Sequence, residues 1–278
     1  MKKIDLIISG SKDKPITLDI QYQESDNNTK PVVLFMHGFK GFKDWGHFNL
    51  IAKTFVENGF VFVKLNTSHN GTTPEHLEDF IDLEAFANNN FTIESDDIDI
   101  AIQFIEENIH HYFGDKNQLH IIGHSRGGGL VLLAGHRNSS IKKIVTWATV
   151  QNLKYFFDYM DIKKWAADGV VYIPNSRTKQ DMPFYYQMYE NYLFNQVKLD
   201  VEKAVSETEK PILFIHGSGD IGVPQKYSEY LHNQNPNSSL EIIENADHTF
   251  GGKHPWINDE LPEHSKILVQ KTIDFLRK

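Results

Sequence analysis

The residues with the clearest chemical potential in this 278-residue chain are Gly123-His124-Ser125-Arg126-Gly127, a G-x-S-x-G pentapeptide. A serine hydroxyl is a poor nucleophile near neutral pH, so it needs a neighbouring base and groups that hold the charge formed on an attacked carbonyl. The pentapeptide alone is common, and read blandly it is a glycine-containing turn. Its setting is more specific. Gln118-Leu119-His120-Ile121-Ile122 reads as a strand before it, and Leu130-Val131-Leu132-Leu133-Ala134 as a helix after it. That is the strand–turn–helix context of a nucleophile elbow. In so sharp a turn the serine backbone is strained, and side chains at positions 123 and 127 would collide. Gly128 and Gly129 extend the run, although each glycine in a helix is about 1 kcal/mol worse than alanine. Their presence points to backbone approaching backbone. No G-x-x-x-x-G-K-[ST] or G-x-G-x-x-G fits here, which disfavours a phosphate loop.

A nucleophile of this kind needs an acid and a histidine, following it in that chain order. His216-Gly217-Ser218-Gly219-Asp220 leaves one predicted strand, and Ala246-Asp247-His248-Thr249-Phe250 follows the next. Asp220 and His248 are therefore the expected partners of Ser125, because parallel strands deliver their C-terminal loops to one edge of a sheet. Asp247 is the rival acid. Asp158, Asp161, Asp181, His232, His254 and His264 lose on position. The oxyanion donors are expected to be the backbone N–H groups of Phe39, in His37-Gly38-Phe39-Lys40-Gly41, and of Arg126. His37 is expected to brace its loop, and the Arg126 side chain is available for a salt bridge. No metal or cofactor is expected: there is no H-E-x-x-H, and the adjacent His110-His111 pair is poorly spaced for one ion.

The elements that must position these groups alternate short apolar runs with amphipathic ones, the signature of parallel βαβ units. Strands are predicted at 3–9 and 16–22, as an antiparallel edge pair, and at 32–36, 60–65, 119–122, 144–148, 212–215 and 240–243. The last six are near-continuous in apolar residues, as strands covered on both faces should be. Helices are predicted at 48–58, 98–108, 126–137, 224–231 and 265–277, the second capped by Ser95-Asp96-Asp97. Residues 1–148 and 211–278 would form the core. Residues 149–210 would form a partly helical lid, since so long an insertion in a compact domain is usually functional. Twelve of the chain's 34 aromatic residues fall in 155–194. They would either pack the insertion or wall an apolar acyl or aryl pocket.

Composition narrows the function classes. The net charge of −9 argues against nucleic-acid binding, and the absence of cysteine removes disulfides, thiolate metal sites and a thiol nucleophile. The longest apolar runs are far short of the roughly 20 residues that cross a membrane. The run after Lys2-Lys3 is interrupted by Asp5 and is too short for a signal-peptide core, so a cytoplasmic location is expected.

With these motifs in order across nearly the whole chain, the sequence resembles the α/β-hydrolase superfamily. The H-G-F loop and the A-D-H-T-F histidine loop are most similar to the dienelactone-hydrolase and serine-aminopeptidase-like branch, which includes feruloyl and cinnamoyl esterases. The resemblance implies an eight-stranded, mostly parallel sheet with helices on both faces and a lid inserted after the sixth strand. It also implies cofactor-free serine hydrolase activity on a small-molecule ester. The chain departs from dienelactone hydrolases in having no cysteine nucleophile. It also has Asn66-Thr67-Ser68-His69-Asn70-Gly71 where many relatives carry D-x-x-G-x-G-x-S. A serine peptidase of aminopeptidase type is the alternative, with the acidic stretch 75–84 as the group that would hold a free amino terminus. A non-catalytic binding module on the same fold is a third reading.

Overall fold

The predicted apolar runs are buried as two-sided strands require: residues 32–36 are fully buried, as are all of Val61–Asn66 and Ile212–Gly217. A computed structural model describes residues 1–24 and 29–278. Its main sheet contains β1 (Lys2–Ser9), β2 (Pro15–Tyr22), β3 (Lys30–Met36), β4 (Val61–Asn66), β5 (Gly114–His124) and β6 (Ile141–Trp147). After a separate hairpin, β7 (Val170–Asn175) with β8 (Gln180–Tyr185), come β9 (Ile212–Gly217) and β10 (Ser238–Ile243). The order is β1-β2-β4-β3-β5-β6-β9-β10. β1 pairs antiparallel with β2, and β2 with β4, while the remaining neighbours are parallel. All eight expected strands are present, the first two at the edge.

Helices cover both faces. α1 (Phe48–Glu57) and α9 (Glu263–Arg277) pack on one side, where Phe55, Val56, Val269 and Ile273 join the inward residues of β3, β4 and β9. On the other side lie α3 (Phe91–Asn108), α4 (Arg126–Arg137) and α8 (Lys226–Asn233). α1 buries Phe48, Ile51, Ala52, Phe55 and Val56, the i, i+3, i+4, i+7 stripe of a surface helix. α3 departs from its prediction by starting seven residues early. Asn90 is its cap, accepting the Ile93 N–H at 3.0 Å, because Phe91 and Ile93 are themselves buried in the first turn. Ser95-Asp96-Asp97 therefore lies within the helix, and Asp97 instead binds the backbone N–H groups of Ser11 (2.8 Å) and Ser68 (2.6 Å).

Between β6 and β9 the chain forms a 3-10 turn (Leu153–Phe157), α5 (Ile162–Asp168), the β7–β8 hairpin, α6 (Gln187–Asn195) and α7 (Val201–Glu207). The short helix α2 (Leu83–Ala87) lies in the stretch after β4.

Register places the functional loops. Met36 at the end of β3 is paired with Gly123 in β5, His124 with Trp147, Trp147 with Ile215, and Gly217 with Ile243. The C-terminal ends of five strands thus meet at one edge, where α/β sheets bind ligands.

Candidate active site

Ser125 sits between β5 and α4 with φ 57° and ψ −123°, a left-handed conformation that a non-glycine residue adopts only under strain. The turn around it is held by Ser125 N–H to the Trp147 carbonyl (2.8 Å) and Gly128 N–H to the Ser125 carbonyl (2.9 Å). The flanking glycines are sterically required: a Cβ on Gly123 would stand 2.3 Å from the Gly127 carbonyl oxygen, and one on Gly127 2.3 Å from that of His37.

The fold brings Ser125, His248 and Asp220 together. His248 Nε2 lies 3.0 Å from Ser125 Oγ, and His248 Nδ1 lies 2.7 Å from Asp220 Oδ2. An ionised carboxylate only accepts hydrogen bonds, so Nδ1 carries the proton and Nε2 is left to accept from the serine hydroxyl. Asp220 Oδ1 accepts the N–H groups of Gly222 (2.8 Å) and Val223 (2.9 Å). Burial alone would raise the Asp220 carboxyl. The hydrogen bonds from His216, His248 and the Val223 backbone N–H oppose this, and they hold it well below the usual carboxylate range. The rival acid faces away: Asp247 Oδ1 accepts from Thr249 N–H (3.0 Å) and Gly251 N–H (2.8 Å), closing its own turn.

The loop after β3 lies directly on the elbow. A Cβ on Gly38 would be 2.9 Å from Ser125 Cβ, so only glycine lets Phe39 come beside the serine. Arg126 is the first residue of α4, where a backbone N–H has no acceptor inside the helix. His37 is buried beneath this loop with Nδ1 2.8 Å from the Gly38 carbonyl, and burial pushes its imidazole down to about 4. The Arg126 side chain is also buried, paired with Glu94 at 2.5 Å.

Several participants escaped the sequence reading. His216 Nε2 stands 3.3 Å from Asp220 Oδ2 and 3.0 Å from the Val223 carbonyl, and its Nδ1 is 2.7 Å from Ser228 Oγ. His124 Nε2 donates to the His248 carbonyl at 2.8 Å, fixing the histidine loop against the elbow, and burial pushes its imidazole down to about 3. Tyr155 Oη donates to the Gly222 carbonyl at 2.8 Å, tying the insertion to the Asp220 loop. Only the position of His216, four residues before Asp220, gave a signal of this kind in the sequence.

A cavity of about 710 Å³ opens on Ser125 and His248. Phe39, Tyr155, Phe156, Tyr159 and Tyr172 are among its walls. A second cavity, of about 140 Å³, reaches the same two residues from between Gly38, Trp45 and His124. The aromatic residues of the insertion thus divide between two uses. Phe157, Trp165 and Phe184 are buried in its packing, while Tyr155, Phe156, Tyr159 and Tyr172 face the larger cavity. Among the described residues, no group of three or more His, Asp or Glu side chains is arranged to hold a metal ion, and no helix is long and apolar enough to cross a membrane.

Residues 18–234 match the family model BD-FAE. The chain belongs to the BD-FAE esterase family. This BD-FAE protein has the α/β-hydrolase fold and is a hydrolase of the carboxylic-ester kind. Among solved structures it is similar to Est1E from Butyrivibrio proteoclasticus with ferulic acid bound, at 16% identity over 98% of both chains and a TM-score of 0.70. It is also similar to the α/β hydrolase GrgF from Penicillium sp. (13% identity, 100% of this chain and 98% of that one, TM-score 0.72). Dienelactone hydrolase from Anabaena variabilis is a third (16% identity, 99% and 97%, TM-score 0.66). At these identities the likeness is one of fold. No curated protein sequence matches this BD-FAE chain.

Proposed function

We propose that the protein is a serine hydrolase that cleaves a carboxylic ester of modest acyl or aryl size through an acyl-enzyme intermediate. The observation that carries this reading is the unbroken hydrogen-bond chain from Ser125 Oγ through His248 to Asp220, at 3.0 and 2.7 Å, opening on an aromatic cavity of about 710 Å³. Ser125 Oγ attacks the ester carbonyl carbon as its proton passes to His248 Nε2, and Asp220 offsets the imidazolium charge. The N–H groups of Phe39 and Arg126 hold the oxyanion. The tetrahedral species collapses by breaking the bond to the alkoxy oxygen, which takes the proton from His248. Water then attacks the acyl-enzyme with His248 again as base, and the acid leaves as Ser125 regains its proton.

In this reading residues 149–210 form a lid over the site, seated on the segment after β4. Arg177 donates to the Glu78 carbonyl (2.9 Å), Gln180 to the Phe80 carbonyl (3.0 Å) and Gln187 to the Asn89 carbonyl (3.0 Å). The ester is favoured over a free peptide amino terminus because no acidic residue of 75–84 lines the cavity, and the carboxylate in its wall, Asp161, is engaged in capping α5 through the Lys164 N–H at 3.0 Å. Glu84 accepts from Tyr185 Oη at 2.7 Å, and Asp82 caps α2 and pairs with Lys14. Matched p-nitrophenyl esters and aminoacyl arylamides test the choice. Faster turnover of esters, abolished in Ser125→Ala, is expected; preference for arylamides would reverse it.

A further inference from the structure

The two oxyanion donors come from segments that share no covalent neighbour: Phe39 from the loop after β3, and Arg126 from the start of α4. A tetrahedral oxygen needs both N–H groups aimed at one point, and a misplacement of about 1 Å is enough to reduce rate roughly 100-fold. Backbone packing at Gly38 fixes one side of this juncture. On the other side, the side chains of the same two residues meet. The Arg126 guanidinium carbon lies 4.5 Å from the centroid of the Phe39 ring. The Phe156 and Phe91 rings stand at 5.4 and 5.8 Å from it. The Phe39 ring is held in turn by Phe156 at 4.9 Å, edge-on, and by Phe184 at 5.5 Å.

A guanidinium among aromatic rings is attracted to their faces, and more strongly where water is excluded. Arg126 is 8% exposed and Glu94 1%, so the cation is kept in place by its ion pair. Glu94 Oε1, 2.5 Å from Arg126 Nη2, is itself fixed by Asn89 Nδ2 at 2.9 Å. Nothing in the hydrolytic steps uses these side chains chemically, yet they link α3, α4 and the loop after β3 at the point where the donors converge.

We propose that Glu94, the Arg126 guanidinium and the Phe39 ring form a positioning clamp that sets the distance between the two oxyanion donors. The proposal rests on the serine-hydrolase reading above. Its test uses p-nitrophenyl acetate, whose acyl group is too small to depend on the aromatic wall for binding. Phe39→Leu keeps the backbone N–H and removes the ring. Its kcat should fall roughly 10- to 100-fold with KM changed less than about threefold. Phe39→Tyr, which keeps the ring, should recover most of that loss. Arg126→Met should fall comparably, and the double variant should be no slower than the slower single variant, because both break one contact.

Full wild-type kcat in Phe39→Leu, a change confined to KM, or losses that multiply in the double variant would each overturn the clamp. If Arg126→Met does not fold, the Leu and Tyr variants at position 39 decide the matter alone. Failure of the underlying reading looks different: Ser125→Ala would then hydrolyse the acetate as wild type does.

Discussion

His216 Nε2 lies 3.3 Å from Asp220 Oδ2, the same oxygen that accepts His248 Nδ1 at 2.7 Å, so one carboxylate oxygen serves two imidazoles. Both side chains of the His216–Asp220 pair are fully buried. Hydrogen bonds to charged groups contribute about 1.5–3 kcal/mol, and this donor helps hold the carboxylate ionised and correctly turned. His216→Phe should lower kcat roughly tenfold with KM little changed, because a carboxylate stripped of one donor holds the His248 imidazole less firmly. Steady-state kinetics would check it; an unchanged kcat would leave His216 a packing residue.

Gly38 carries a sharper steric expectation. A methyl group there meets Ser125 Cβ at 2.9 Å and the His124 carbonyl oxygen at 3.2 Å, atoms whose positions are set directly by the backbone of the elbow. Gly38→Ala should cut kcat by about 100-fold or more, the scale of losing an oxyanion donor, while the chain still unfolds cooperatively, at a melting temperature lowered by the roughly 1–3 kcal/mol that overpacking costs. Kinetics beside a thermal melt would separate displacement of the loop from loss of fold.

Stability should fall on mild acidification. Burial pushes His37, His47 and His120 down to about 4, and His124 to about 3, from an ordinary value of 6.5. Between pH 6.5 and about 4 the unfolded chain binds protons that the folded chain refuses, so the free energy of unfolding drops as pH falls through that window. One histidine shifted by that much is worth on the order of 3 kcal/mol. Urea unfolding at pH 7.5 and pH 5 should show a lower midpoint at pH 5. His124→Asn should flatten the dependence.

A buried charge cluster sits where β2 and β4 meet the loop beyond Phe39. Asp19 and Lys64 are register partners, and Lys43 and Asp44 complete a group in which none is more than 7% exposed. Lys43 Nζ lies 2.9 Å from Asp19, and Lys64 Nζ 2.7 Å from Asp44. Burial would raise the Asp44 carboxyl, but Lys64 and Lys43 hold it far below its usual range. Removing one partner of such a group costs about 3–5 kcal/mol, because a buried charge is left behind. Lys43→Met should destabilise by that amount in chemical unfolding, and a near-neutral result would mean the cluster is solvated.

Much of this arrangement was legible in the residues. The eight strands announced themselves because two-sided burial leaves continuous apolar runs, and strand order then carried Asp220 and His248 to Ser125. The β7–β8 hairpin was not legible: Pro174 and Pro183 within its strands are residues that ordinarily argue against strand, and Asp181 breaks the apolar pattern. The start of α3 was missed because Ser95-Asp96-Asp97 imitates a cap, while Asn90 performs that role seven residues earlier. Glu94 was hidden for a different reason. Its partner Arg126 is 32 residues away in sequence, and nothing in composition marks a carboxylate that only the packing of α3 against α4 brings to it.

The most direct measurement is stoichiometric labelling with a fluorophosphonate, followed by peptide mapping and an ester assay on the same sample. One adduct per chain on Ser125, rising in step with lost hydrolysis and absent from Ser125→Ala, is the expected result. An unlabelled wild-type chain that still hydrolyses the ester, or a Ser125→Ala variant with near-normal turnover, would contradict the assignment.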